Sequence, residues 1–203
     1  AVINNAGIVR TAHFDEVHRD EYQRNLDVHF FGSLFVTRAA WPHLKAAGSG
    51  RVVNTVSAAM LGNPLMTHYG SSKGAVFGLT RNLALEGAEH GILVNALAPG
   101  AGTRMAEDSA DSLPPEIMAY LRTLLPEQVA PVAAYLVHPA CAVTGEVFTV
   151  AGGIVRRTAV VNTVGIHDAD LTPETVAERF AEIMAITPEA EPQVLPVSAP
   201  APA

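Results

Sequence analysis

Short, continuously apolar runs alternate along the chain with longer stretches in which apolar residues return every three or four positions. The first run, residues 1–3, stops at Asn4-Asn5-Ala6-Gly7 and predicts a buried strand ending in a glycine-containing loop. Over residues 20–47, Leu26, Phe30, Leu34 and Ala40 or Trp41 return to one side, as a helix requires. Pro42 is expected to kink that helix or open its last turn, and Gly48-Ser49-Gly50 to end it. Residues 51–56 are rich in Val and Thr and predict a strand. A second long helix is expected over 68–90, with Gly91 as its stop and a strand over 92–97. Pro99-Gly100-Ala101-Gly102 reads as a turn, followed by a polar stretch, helices over 114–125 and 126–138, and a strand over 145–151 closed by Gly152-Gly153. Thr172 is placed to cap a further helix opened by Pro173, and the Pro/Ala-rich residues 187–203 are expected to form a disordered tail.

Strands that are apolar throughout, alternating with helices of more than ten residues, imply βαβ units and a parallel sheet covered on both faces. The 49% hydrophobic content against 16% charged fits a chain with a large core. With 13 Lys+Arg against 20 Asp+Glu the net charge is −7, which argues against a nucleic-acid or anionic-membrane surface. The single cysteine, Cys141, excludes a disulfide framework and suits a reducing, cytoplasmic compartment. No apolar run reaches the length of a membrane span. The chain opens on Ala1, inside an apolar run, and reads as one whose beginning lies elsewhere.

The sharpest local pattern is Tyr69-Gly70-Ser71-Ser72-Lys73, with Ser57 just past the end of the 51–56 strand. Residues four apart share a helix face, so Tyr69 and Lys73 present their heads to one space. The carboxyl edge of a parallel sheet, where Ser57 falls, is where ligands bind. A free phenol has a pKa of about 10, and bringing it to about 7 takes roughly 4 kcal/mol of extra phenolate stabilisation. A shielded ammonium one turn away has the right sign for that, and a serine hydroxyl can hold the substrate oxygen meanwhile.

These residues, together with Asn4-Asn5-Ala6-Gly7, residues 51–57, residues 94–100 and residues 144–153, resemble the short-chain dehydrogenase/reductase family over residues 1–153. The resemblance implies an α/β doubly wound, Rossmann-like parallel sheet, here present only from about its fourth strand onward. It implies hydride transfer between NAD(P) and a secondary alcohol or ketone. On it, Tyr69 is the acid/base, Ser57 orients the substrate oxygen, and Lys73 holds the nicotinamide ribose while lowering the tyrosine pKa. Asn5, Ala6 and Gly7 line the adenosine side of the cofactor, NAD with NADP left open, and Pro99 and Gly100 pass beside the nicotinamide. Thr37–His43, Ala98–Met105 and Pro126–Pro131 are similar to the (3R)-hydroxyacyl-CoA dehydrogenase branch, which implies a 3-hydroxyacyl-CoA substrate and a segment beyond the usual family end, here 154–186. A steroid or other small secondary alcohol is the alternative substrate, and a truncated, non-catalytic oligomer subunit the alternative to an enzyme. The family usually pairs through the two long helices, which implies a homodimer or homotetramer.

His29 stands where many family members carry an asparagine that supports a water relay to the lysine; its other reading is a partly buried helix residue with a backbone partner. The remaining histidines show no metal-ligand spacing, and no metal is expected. Gly100-Ala101-Gly102 lacks the third glycine of a dinucleotide fingerprint, since position 105 is Met. The pyrophosphate turn and the residue that selects NAD or NADP are thus missing from the sequence. The polar stretch 103–112 is a candidate substrate lid. Arg104, Arg156 and Arg157 are candidates for CoA phosphates or, equally, solvated surface arginines.

Overall fold

The computed structural model describes residues 1–108 and 114–193, which divide into two compact units, residues 1–158 and 159–193. In the first unit, β1 (Val2–Asn4), β2 (Arg51–Thr55), β3 (Leu93–Gly100) and β4 (Val147–Ala151) lie side by side, all parallel. A fifth strand, β5 (Ile154–Thr158), turns back antiparallel onto β4. Gly152 and Gly153, at φ 56° and 76°, make the turn between them, a left-handed pair that side chains resist. The sequence reading ended the sheet at Gly153. β5 escapes an apolar-run criterion because its first four residues face solvent, as an edge strand's can.

Helices cover both faces of this mostly parallel, Rossmann-like sheet. On one face α3 (Thr67–Gly87) brings Val76 against Val56, Ala96, Ala98 and Val147, with Phe30, Met60 and Phe77 around them. On the other, α6 (Ala130–Val137) brings Leu136 against Val53, Leu97, Cys141 and Val150. Each such fully buried aliphatic side chain contributes about 1.5–3 kcal/mol. A polar ladder pins the strand register. Asn4 Nδ2 donates to Asn54 Oδ1 (2.8 Å), its neighbour across β1 and β2, and to Thr37 Oγ1 (2.9 Å). Asn54 Nδ2 donates to Thr80 Oγ1 at 3.0 Å. Sliding either strand by one residue would leave these amides buried without partners.

The first long helix starts as α1 (Arg19–Leu26), widens into a π turn over Asp27–Phe31 and continues as α2 (Gly32–Ala47). Pro42 does not open a last turn: α2 runs on past it and ends at Gly48, φ 64°. The helix expected to reach His90 leaves α-geometry at Gly87, tightens through Ala88–His90 and stops at Gly91, φ 66°. A side chain at Gly91 would run into the Gly48 carbonyl, so the two helix-ending turns meet where the chain enters β2 and β3. The expected turn at Pro99 and Gly100 is instead the end of β3, because both residues pair with β4. Beyond it lie α4 (Arg104–Glu107) and α5 (Pro115–Thr123). The later part of the candidate lid, residues 109–112, lies outside the described residues.

The second unit pairs β6 (Val161–Asn162) with β7 (Glu191–Pro192) and carries α7 (Pro173–Glu178) and α8 (Phe180–Met184). Thr172 caps α7 as expected, its Oγ1 accepting the Thr175 N–H at 3.1 Å. Residues 187–193 of the expected tail are folded into this unit through β7 and a bond from the Gln193 N–H to the Val160 carbonyl. The remainder of that tail, 194–203, lies outside the described residues.

Candidate active site

The loops that leave the carboxyl ends of β1, β2 and β3 carry Asn5 to Gly7, Ser57, and the Gly100–Gly102 connection. Ser57 caps a short 3-10 turn (Ala58–Leu61), its Oγ accepting the Ala59 N–H at 3.2 Å. That leaves the hydroxyl proton for a second partner, and Ser57 is near enough to the Tyr69 phenol to favour its charged form. Tyr69 lies in the first turn of α3, and Lys73 one turn on, with Nζ 5.7 Å from the phenol ring centroid. Lys73 is only 3% exposed, and its Nζ donates to the Thr55 carbonyl at the end of β2, 2.8 Å away. Three expected site residues are thus brought together by one helix end and one strand end.

The electrostatics differ from the expectation in one respect. Burial pushes the Tyr69 phenol above its usual pKa, and Ser57 offsets part of that rise. Burial also lowers the Lys73 ammonium from 10.5 to about 8. The expected net lowering of the tyrosine pKa by Lys73 is therefore not found: desolvating a phenolate outweighs what the site returns.

His29 joins the site from the π turn. It is 1% exposed, and its ring meets the Tyr69 ring edge-on at 5.4 Å and 88°. Nε2 accepts the Ile8 N–H (3.0 Å), and Nδ1 lies 2.7 Å from Ser72 Oγ. The backbone-partner reading of His29 describes these contacts, although the residue is fully rather than partly buried.

Of the residues expected beside the cofactor, Asn5 accepts the Thr55 hydroxyl through Oδ1 at 3.0 Å, and Ala6 is exposed. A side chain at Gly7 would begin 3.4 Å from His29 Nε2 and 3.6 Å from the Met105 methyl. Pro99 is exposed, whereas Gly100 is required by packing: a Cβ there would stand 2.9 Å from that of Ala151. Among the arginines, Arg157 is held by Glu146 through two bonds of 2.6 and 2.9 Å, and Arg104 and Arg156 are exposed.

Sequence reasoning missed two contributors. Thr55 holds both Lys73 and Asn5, a role set by strand register that no local pattern announces. Ser72 bridges His29 to the Tyr69 carbonyl, and the signal was there: a hydroxyl on the small-residue face of a buried helix, beside Lys73.

Residues 1–113 match the family model for short chain dehydrogenase. The chain belongs to the short-chain dehydrogenase family. A Mycobacterium tuberculosis protein of short-chain dehydrogenase/reductase type is 44% identical over 184 residues, 90% of this chain and 62% of its own length. Mouse peroxisomal multifunctional enzyme type 2 is 34% identical over 96% of this chain and 26% of that protein. Full-length peroxisomal multifunctional enzyme type 2 from Drosophila melanogaster superposes on 93% of this short-chain dehydrogenase chain with a TM-score of 0.79, at 28% identity, and 34% of that structure is covered. The chain therefore spans less than two thirds of these relatives.

Proposed function

We propose that this short-chain dehydrogenase transfers a hydride between NAD(P) and a secondary alcohol, and that the alcohol is the 3-hydroxyl of a 3-hydroxyacyl-CoA. The observation that carries the reading is the Tyr69 ring 5.7 Å from the buried Lys73 ammonium, at the strand end where Ser57 opens the next turn. NAD(P)⁺, when bound, supplies the acceptor for the hydride leaving the carbinol carbon. The residues fit its nicotinamide-ribose half. An ammonium has three donors, and the one hydrogen bond Lys73 makes among the described residues goes to Thr55, so two directions serve ribose hydroxyls. Asn5, Ala6 and Gly7 are the proposed walls on the adenosine side, and Pro99 and Gly100 those beside the nicotinamide, with NAD as the proposed form.

The substrate hydroxyl sits between Ser57 Oγ and Tyr69 Oη. Ser57 donates to the oxygen as it becomes a carbonyl, and Tyr69, as phenolate, takes the hydroxyl proton. Burial favours the neutral phenol and Ser57 offsets part of that, and the proposed share of Lys73 is that of a cation one helical turn away, which favours the phenolate. The acyl-CoA assignment rests on the resemblance of residues 37–43, 98–105 and 126–131 to the hydroxyacyl-CoA dehydrogenase branch, and similarity to the mouse and fly multifunctional enzymes supports it. A homodimer or homotetramer joined through α2 and α3 is part of the proposal, supported by Phe35 and Val36, each more than half exposed on α2. Cytoplasmic residence is proposed on the free, buried Cys141. No helix among the described residues is long and apolar enough to cross a membrane.

A side-by-side assay of 3-hydroxyacyl-CoA thioesters, steroids and small free alcohols with NAD⁺ and NADP⁺ tests the reading. Preference for the thioester is expected, and a preferred free alcohol would overturn the substrate assignment. No thermal shift with saturating NAD(H) would favour the non-catalytic subunit instead.

A further inference from the structure

The hydrogen bonds around His29 leave little freedom in where its protons lie. Nε2 accepts the Ile8 N–H at 3.0 Å, so that nitrogen carries a lone pair rather than a proton. Ser72 spends its single hydroxyl proton on the Tyr69 carbonyl, 2.7 Å away. Its oxygen therefore acts as acceptor toward His29 Nδ1, also 2.7 Å away, and the ring proton is on Nδ1. Both ring nitrogens are thereby taken by protein partners. The His29 backbone carbonyl accepts the Ser33 hydroxyl at 2.6 Å.

The π turn is what lets one imidazole reach these groups. Widening the helix over Asp27–Phe31 carries the buried His29 under Gly7 and Ile8 on one side and against α3 on the other. The same ring touches Tyr69 a second time, edge-on to the phenol at 5.4 Å. A single side chain thus spans the turn after β1, the peptide of Tyr69 and its aromatic ring. Burial first, and the Lys73 ammonium second, hold the His29 pKa down to about 4, which agrees with a ring that stays neutral.

We propose that His29 and Ser72 form a positioning pair, locked in one tautomer, that sets Tyr69 against the turn at Gly7–Ile8 and passes no proton to Lys73. The inference rests on the reading of Tyr69 as the proton-exchanging group. An asparagine at position 29 ends no further out than Nδ1, so it can meet Ser72 but is too short to reach Ile8 as well, and the second tie belongs to the histidine form of this site. The pair acts on geometry: a misplacement approaching 1 Å at a reacting group costs about a hundredfold in rate.

The test combines ring ¹⁵N NMR with kinetics on the whole chain. In the wild type, His29 is expected as the Nδ1–H tautomer at neutral pH, with the Ile8 amide and Tyr69 ring each giving one set of resonances. Ser72→Ala should leave the chain folded, speed exchange of the Nδ1 proton and shift the Ile8 and Tyr69 resonances together. It should also lower kcat by about tenfold at unchanged KM. Ser72→Thr, which keeps the hydroxyl, should restore all of these. An Nε2–H or averaging ring in the wild type overturns the inference, and so does a Ser72→Ala chain whose Ile8 and Tyr69 signals stay in place. Absence of wild-type turnover would instead sink the enzymatic reading, while the tautomer and the paired shifts would still decide this one.

Discussion

Replacing Lys73 by methionine separates what the buried cation does for chemistry from what it does to stability. Lys73 is 3% exposed and its pKa falls from 10.5 to about 8, so keeping it charged in the fold costs about 3 kcal/mol at neutral pH. Methionine keeps most of the stem and removes the charge. It also deprives the Thr55 carbonyl of its 2.8 Å donor, a loss of about 1–3 kcal/mol. At a pH of about 7, Lys73→Met is therefore expected to be between equal to the wild type and about 2 kcal/mol more stable. The pH dependence is the sharper signature. Between about pH 8 and 10.5 the unfolded chain holds the lysine proton and the folded chain does not, so wild-type stability rises with pH across that window. The methionine variant lacks this contribution, and by about pH 9.5 its advantage should shrink by about 2 kcal/mol. Urea unfolding of both chains at the two pH values measures the difference, in which all shared titrations cancel. A difference that stays constant would refute the burial argument, as would a loss of more than about 2 kcal/mol at neutral pH.

His29 gives a dependence of the same sign on the acid side. Its pKa falls from 6.5 to about 4, so its contribution is whole above pH 6.5 and is lost as the pH drops toward 4, by about 3 kcal/mol in all. His29→Asn should remove that part of the acid slope in urea unfolding, and an unchanged slope would contradict it. Gly91→Ala meets both a φ of 66° and the Gly48 carbonyl, and should lower stability by about 2–4 kcal/mol. A urea midpoint within error of the wild type would show that the two helix-ending turns are not in contact.

Much of this arrangement was legible because it is local. Strand and helix alternation, the Gly48 and Gly91 stops, the Thr172 cap and the shared face of Tyr69 and Lys73 all follow from neighbours within a turn or two. The π turn was not, since one extra residue per turn hardly disturbs an apolar repeat, yet it is what aims His29. β5 was hidden because an exposed edge strand shows no apolar run, although Gly152-Gly153 was a hairpin signal in plain view. Thr55 and Ser72 became visible only once β2, α3 and the π turn were packed together. The upward shift of the Tyr69 phenol has the same origin, since burial is a tertiary property that adjacency to Lys73 does not reveal.

The most direct measurement of the central claim is turnover of a 3-hydroxyacyl-CoA with saturating NAD⁺ by the wild type and by Tyr69→Phe, at matched circular dichroism and matched thermal shift with NAD(H). Phenylalanine keeps the ring against His29 and removes only the hydroxyl near Ser57. A rate lower by about 10²–10⁴-fold, with cofactor binding intact, is the predicted result. A Tyr69→Phe chain that keeps more than roughly a tenth of the wild-type rate, far above that loss, would contradict the account.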